Sequence, residues 1–155
     1  MANKDCKNGI TIPAIEEGTV IDHIPSRQTF RIIRIIDPQE FEHVINVALN
    51  LESRKMGKKG IVKISNRILT KDEVDKIALL APEATVSIIK DYKVAEKTTV
   101  RVPEKVERIV KCPNTNCITN HEKVDTKFTV EEKEPLKMRC VYCERTMGRE
   151  DIKLQ

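Results

Sequence analysis

A chain of 155 residues has room for one ordinary domain, or for a medium domain followed by a small one. With 39% hydrophobic and 34% charged residues the composition is that of a globular protein, and no apolar run approaches the roughly 20 residues of a membrane helix, so no membrane partner is expected. The net charge of +4 lies before Cys112, because the segment from there on carries eight Lys/Arg against eight Asp/Glu; such a neutral segment argues against nucleic acid as its partner.

The start, Met1-Ala-Asn-Lys-Asp-Cys-Lys, lacks the hydrophobic stretch of a secretory signal, which makes a cytoplasmic location the expectation. Gly18-Thr-Val-Ile-Asp-His-Ile24 is rich in β-branched residues and runs into Pro25, a strand pattern. Ser26 then suits the cap of a helix whose apolar positions Phe30, Ile33 and Ile36 recur about once per turn. Ile45, Val47, Leu49 and Leu51 alternate with Asn46, Ala48 and Asn50, as in a half-buried strand. The polar turn over 52–60 leads into Ile61-Val-Lys-Ile-Ser65, predicting a hairpin. Thr70-Lys-Asp-Glu73 is a capping box, followed by Val74, Ile77, Ala78 and Ala81 at helical spacing and by Pro82 as a stop. Thr85-Val-Ser-Ile-Ile and Tyr92-Lys-Val supply further strand, and the charged stretch from Glu96 to Lys111 reads as a connection or edge element.

The order βαββαβ predicts a ferredoxin-like arrangement, with two helices on one face of an antiparallel sheet and the other face open to partners. The expected fold class is thus α+β: a ferredoxin-like domain over 1–100, then a small, mostly β zinc-binding domain over 101–155.

The second domain is read from its cysteines. Cys112-Pro-Asn-Thr-Asn-Cys117 and, after 22 residues, Cys140-Val-Tyr-Cys143 form two close pairs with the spacing of a tetrahedral zinc site. Four thiolates fill the metal and leave no position for water or substrate, so the site is structural and its binding energy is folding energy. Iron suits the same four ligands. Asn114 and Asn116 fit the turns through their tolerance of left-handed backbone, and His121 reads as a surface residue of the connecting loop. Cys6 has no partner by spacing and is taken as incidental.

The basic excess includes Lys55, Lys58, Lys59, Lys63, Lys90, Lys93 and Lys97. Lys63 stands out because it sits inside a strand, where it can meet a phosphate as a point charge, although a lysine on an open sheet is more commonly just solvated. No Walker or Rossmann glycine pattern is present, and 3% aromatics without Trp offer no stacking platform for single strands. Asp22 and His23 resemble an acid–base pair, but neighbours on a strand point to opposite faces, and no catalytic set emerges. The residues alone therefore predict a non-enzymatic, zinc-containing protein that binds an anion, with a zinc-ribbon nucleic-acid-binding protein as the alternative.

Gly18-Thr-Val-Ile-Asp-His-Ile-Pro25, the Met56-Gly-Lys-Lys turn, Val62-Lys-Ile-Ser-Asn66, Leu79-Leu-Ala-Pro-Glu-Ala-Thr-Val86 and Cys112-Pro-Asn-Thr-Asn-Cys117 together carry a resemblance that runs from about Ile12 to the end. The sequence closely resembles the regulatory chain of aspartate carbamoyltransferase. The resemblance implies a non-catalytic subunit in pyrimidine biosynthesis whose first domain binds CTP or ATP, with UTP assisting in some members. It further implies regulatory dimers formed through that domain, and a zinc domain that docks on catalytic trimers. By position, Ala14, Ile15 and Val20 would lie near the base and Asp22 near the ribose. Ile89, Tyr92 and Val94 would line the base side, His23 and Lys97 would serve the triphosphate, and Lys63 would lie near ribose and phosphates. Ser87 stands where the best-known member carries Asn, which leaves the base preference open, and the first eleven residues do not align.

Overall fold

The computed structural model describes residues 11–36 and 42–155, so Cys6 lies outside the described residues. The chain divides into two compact units, residues 1–100 and 101–155. In the first, β1 (Gly18–Pro25), a 3-10 turn (Ser26–Gln28), α1 (Thr29–Ile36), β2 (Ile45–Ser53), β3 (Gly57–Ser65), α2 (Lys71–Leu80), β4 (Thr85–Lys90) and β5 (Lys93–Thr99) follow in order. The strands form one sheet in the order β2-β3-β1-β4-β5, with every neighbouring pair antiparallel. The first four strands have the expected ferredoxin-like order. β5 is an addition: residues 96–99, expected in a connection, continue instead as an edge strand paired with β4.

The helices cover one face of the sheet. Ile21 and Ile24 of β1, Val62 and Ile64 of β3, Ile32 and Ile36 of α1, and Ile77, Leu79 and Leu80 of α2 are all buried, each such side chain contributing roughly 1.5–3 kcal/mol on removal from water. Gly60 shows which side of β3 this is, since a Cβ there would lie 2.1 Å from Thr29 Oγ1 of α1. Residues 60, 62 and 64 thus face the helices and residues 59, 61 and 63 face away. Gly18 is required for a different reason: its φ of +137° and a Cβ position 1.9 Å from the Ile64 carbonyl oxygen exclude any side chain.

Two helix expectations fared differently. The capping box holds, with Glu73 N–H donating to Thr70 Oγ1 at 3.3 Å and Thr70 N–H to Glu73 Oε2 at 2.8 Å. In α1 the buried stripe is Thr29, Ile32 and Ile36, while Phe30 is 62% exposed. The intervening 3-10 turn shifts the phase of the stripe, and Ser26, inside that turn, accepts from Asn50 N–H at 3.1 Å instead of capping.

The second unit is a four-stranded antiparallel sheet of β6 (Lys105–Glu107), β7 (Lys127–Lys133), β8 (Leu136–Cys140) and β9 (Thr146–Gly148), in that order. Its core is Val106, Phe128, Met138 and Met147, and a bridge from Val110 to Leu154 ties down the last residues. A core this small is marginal without a cross-link or a metal. Among the described residues no helix is long and apolar enough to cross a membrane.

The contact at Gly60 makes a direct prediction. Gly60→Ala forces α1 from β3 and lowers stability by about 1–3 kcal/mol, read as a lower urea midpoint. An unchanged midpoint would mean that Thr29 swings aside at no cost.

Candidate functional site

The four cysteines of the second unit converge. All their sulfurs lie within 4.8 Å of one another, with 3.7 Å between Cys112 and Cys143 and 3.8 Å between Cys117 and Cys140. A disulfide requires about 2.05 Å. A tetrahedral ion with sulfurs at about 2.3 Å sets them about 3.8 Å apart, so the donor set and its spacing fit a Cys₄ metal site.

Local turns build this geometry. Cys140 and Cys143 flank the turn between β8 and β9, where Cys140 N–H donates to Arg145 O at 3.0 Å. Asn114 Oδ1 accepts from Asn116 N–H at 3.0 Å, and Asn120 Nδ2 donates to the carbonyls of Cys112 (3.1 Å) and Asn114 (2.7 Å), fastening the first loop. The asparagines thus act through side-chain hydrogen bonds; the left-handed residue expected among them is Glu144, with φ +61°. His121 is exposed, with Nε2 2.7 Å from the Thr115 carbonyl oxygen, and is not part of the cluster.

Burial pushes the Cys112 and Cys140 thiols up. Burial acts in the same sense on Cys143, but the Arg145 amide, the Asn114 side chain and the neighbouring thiols outweigh it and bring it to about 7. Buried sulfurs at this density ionise together only around a cation.

In the first unit the sheet face away from the helices gathers the other candidates. Cross-strand partners share a face, and one row runs Asn46, Lys63, Val20, Ser87, Lys97 from β2 to β5. Asp22 opposite Thr85, and Ile89 between Gly18 and Val94, lie on the same face. Residues 11–17 form a strap over it. Lys63 Nζ donates to the Pro13 carbonyl at 2.9 Å, Tyr92 N–H to Glu16 O at 3.0 Å and Asn66 N–H to Glu17 O at 2.9 Å. Ala14 and Ile15 ride on this strap, with Ile15 buried. Lys97 stands exposed on the edge strand, three strand spacings or roughly 14 Å from Lys63 along the row.

Charge on this face is unusually buried. Lys59 and Lys63 are 6% and 7% exposed. Lys59 Nζ lies 3.2 Å from Asp22 Oδ1, whereas Lys63 bonds a neutral carbonyl. Burial holds the Lys63 ammonium below its usual pKa, against a partly compensating pull from Asp22. Sequence reasoning had not singled out Lys59, which fell in an expected turn; in fact β3 begins at Gly57, and the even separation from Lys63 puts both on one face.

Asp22 and His23 overturn an expectation. The β1–β3 register slips between Ile21↔Val62 and Ile24↔Gly60, so both residues oppose Ile61 in a β-bulge, with His23 at φ +58°. The bulge cancels the alternation. His23 Nδ1 lies 3.9 Å from Asp22 Oδ2 and 3.3 Å from Thr85 Oγ1, on the same face as Asp22. The face therefore presents Lys59, Lys63 and His23 around one carboxylate, a set suited to an anion. By contrast, a cavity of about 260 Å³ on the helix face, lined by Thr19, Val74, Val86, Ile88 and Val100 among others, is apolar.

The β4–β5 turn carries backbone strain at this site. Asp91 and Tyr92 both have positive φ, +50° and +61°, the two-residue hairpin geometry that favours Asn-Gly, yet the second position holds a tyrosine that is 61% exposed. Tyr92→Gly is therefore expected to raise the urea midpoint, by about 1 kcal/mol in stability; a lower midpoint would mean that the ring packs usefully in the free chain. Lys63 carries a second expectation. Between its lowered folded pKa and the ordinary 10.5, the unfolded chain binds more protons, so stability rises with pH across that window and the charge costs the fold below it. Lys63→Met should raise the midpoint at pH 7, with the gain shrinking as pH approaches 10.5. A lower midpoint at pH 7 would mean that the bond to Pro13 outweighs the desolvation.

Comparison with known proteins covers both units. The profile described as aspartate carbamoyltransferase regulatory chain, allosteric domain, matches residues 10–101, and that of the metal binding domain matches residues 104–153. The aspartate carbamoyltransferase regulatory chain of Pyrococcus abyssi is 52% identical over 145 residues, covering 92% of this chain and 95% of its own. That of Methanopyrus kandleri is 50% identical over 146 residues, with 93% and 94% covered, and that of Thermococcus kodakarensis 49% over 144, with 92% and 95% covered. Two domains matched in order, at about half identity over nearly full length, establish that the chain belongs to the aspartate carbamoyltransferase regulatory chains, non-catalytic subunits that act on a catalytic partner.

Proposed function

We propose that this chain binds CTP and ATP, with UTP as a further effector, on the open face of its first unit, holds one structural zinc ion in the second, and links catalytic trimers through regulatory dimers in the cytoplasm. The observation that carries the nucleotide reading is the pair of buried lysines, Lys59 and Lys63, on a sheet face that also holds His23. Buried ammonium groups cost stability, and a polyphosphate repays that cost with charge-assisted hydrogen bonds. In this reading Ala14, Ile15, Val20, Ile89, Tyr92 and Val94 enclose the base. Asp22 meets the ribose, His23 and Lys97 take the triphosphate, and Lys63 lies between ribose and phosphates. Ser87, buried in the middle of the row, offers one short hydroxyl that both donates and accepts, which suits a site open to more than one base.

Residues 1–100 would thus be the effector and dimer domain and 101–155 the docking domain. An effector shifts the assembly only if it binds one activity state better than the other, a coupling of typically 1–3 kcal/mol. For docking, the second unit exposes Ile118, Val141 and Tyr142, each next in sequence to a cysteine of the cluster, so a bound metal would fix the backbone that carries them. For the regulatory dimer, β2 is an edge strand with Val44 and Val47 exposed beside it and on it.

Calorimetric titration of the zinc-loaded chain with CTP and ATP tests the effector site. Competitive binding of both is expected, weakened by roughly tenfold or more in Lys97→Ala, the loss of one hydrogen bond to a charged group. Absence of binding by both in the chain and in its assembly with catalytic trimers would contradict the reading. Removing the metal with a chelator, or the substitution Cys140→Ser, should abolish co-elution with catalytic trimers on a sizing column; a stable complex formed by the metal-free chain would contradict the structural role of the ion.

A further inference from the structure

Besides the buried Ile15, the strap over the open face is fastened by hydrogen bonds of two unequal kinds. Near its C-terminal end, the Glu16 and Glu17 carbonyls accept backbone N–H groups from Tyr92 and Asn66. At Pro13 the fastening is a side chain, the Lys63 ammonium. Lys63 is also the buried cation best placed to be drawn to another acceptor, because its partner is a neutral carbonyl whereas Lys59 already faces the Asp22 carboxylate. A phosphate oxygen is the stronger acceptor for an ammonium group in a poorly solvated site.

We infer that Lys63 is a latch for residues 11–15, released at Pro13 when a phosphate takes the lysine and closed again when a base packs on Ala14 and Ile15. The inference rests on the reading of this face as the nucleotide site. It adds that the two halves of a nucleotide act on the strap in opposite directions. The phosphates exchange Lys63 away from Pro13, and the base supplies apolar contacts that hold the strap down. The Tyr92 N–H bond to Glu16 O joins the strap to the strained β4–β5 turn, so the position of the strap is felt at that hairpin. An inorganic polyphosphate, which has no base, leaves the strap open.

The steady-state heteronuclear NOE of the Thr11, Ile12, Ala14 and Ile15 amides in the full, zinc-loaded chain reads the mobility of the strap and tests this, with calorimetry on the same samples. Inorganic tripolyphosphate should bind and lower their NOE, as the Lys63 bond to Pro13 is lost. CTP should raise it, while the Tyr92 and Asn66 amides stay protected from hydrogen exchange with either ligand. In Lys63→Met the NOE of the same amides should be low from the outset and respond little to tripolyphosphate. If that variant fails to fold, the opposite signs of the two ligands on the unaltered chain decide alone. Tripolyphosphate that binds without lowering the NOE, or that raises it as CTP does, overturns the latch and leaves the nucleotide site standing. Binding of neither ligand overturns both.

Discussion

Two ammonium groups buried on one face of a β-sheet constrain much of the first unit. Lys59 and Lys63 sit two positions either side of Ile61, and the sheet must supply partners for both without covering the face with a helix. One partner is Asp22, which the regular β1–β4 register already sets on this face, 3.2 Å from Lys59. The bulge at 22–23 adds the imidazole of His23 to the same face. The other comes from the strap, whose Pro13 carbonyl meets Lys63. Remove the bulge and strict alternation would send His23 toward the helices, where Ile21, Ile24 and Val62 leave it no polar partner. The helix face, by comparison, is ordinary packing: isoleucine, leucine and valine from both layers, with Gly60 permitting α1 its close approach.

The second unit solves a different problem by different means. Its apolar core is a handful of side chains on a four-stranded sheet, and the four sulfurs lie where two loops meet. Several hydrogen bonds serve to hold those loops: Asn120 donates to two carbonyls, Asn114 accepts from the Asn116 amide, and Cys140 N–H donates to the Arg145 carbonyl. A metal-binding module built this way presents exposed apolar residues beside its ligands, so the ion and the surface are one structural unit. The two units differ in chemistry as well, with soft sulfur donors gathered in the second and buried ammonium groups in the first.

Local signals were legible wherever a short stretch carries its own geometry. The capping box at Thr70, the β2–β3 hairpin and the spacing of the two cysteine pairs all depend on neighbours a few residues apart, and the structure has all three, with the hairpin turn shortened from 52–60 to 54–56. What was not legible depends on partners far along the chain. The 22–23 bulge exists because β1 must match β3 some forty residues later, and nothing in Asp22-His23 itself announces it. The phase of α1 is set by a 3-10 turn after Pro25, which moved burial from Phe30 to Thr29 and Ile32. Lys59 was hidden because a polar run rich in Gly and Lys looks like a turn until the strand register absorbs it. The resemblance named candidate residues by position alone; that Lys63, Val20, Ser87 and Lys97 form one row across four strands is visible only in the register.

The most direct test of the account is a crystal structure of the chain with CTP. The account predicts the triphosphate on the open face, within hydrogen-bonding reach of Lys63, His23 and Lys97, with the base against Ile15 and Ile89. Nucleotide bound in the apolar cavity between Thr19, Val74 and Val86, on the opposite side of the sheet, would contradict it.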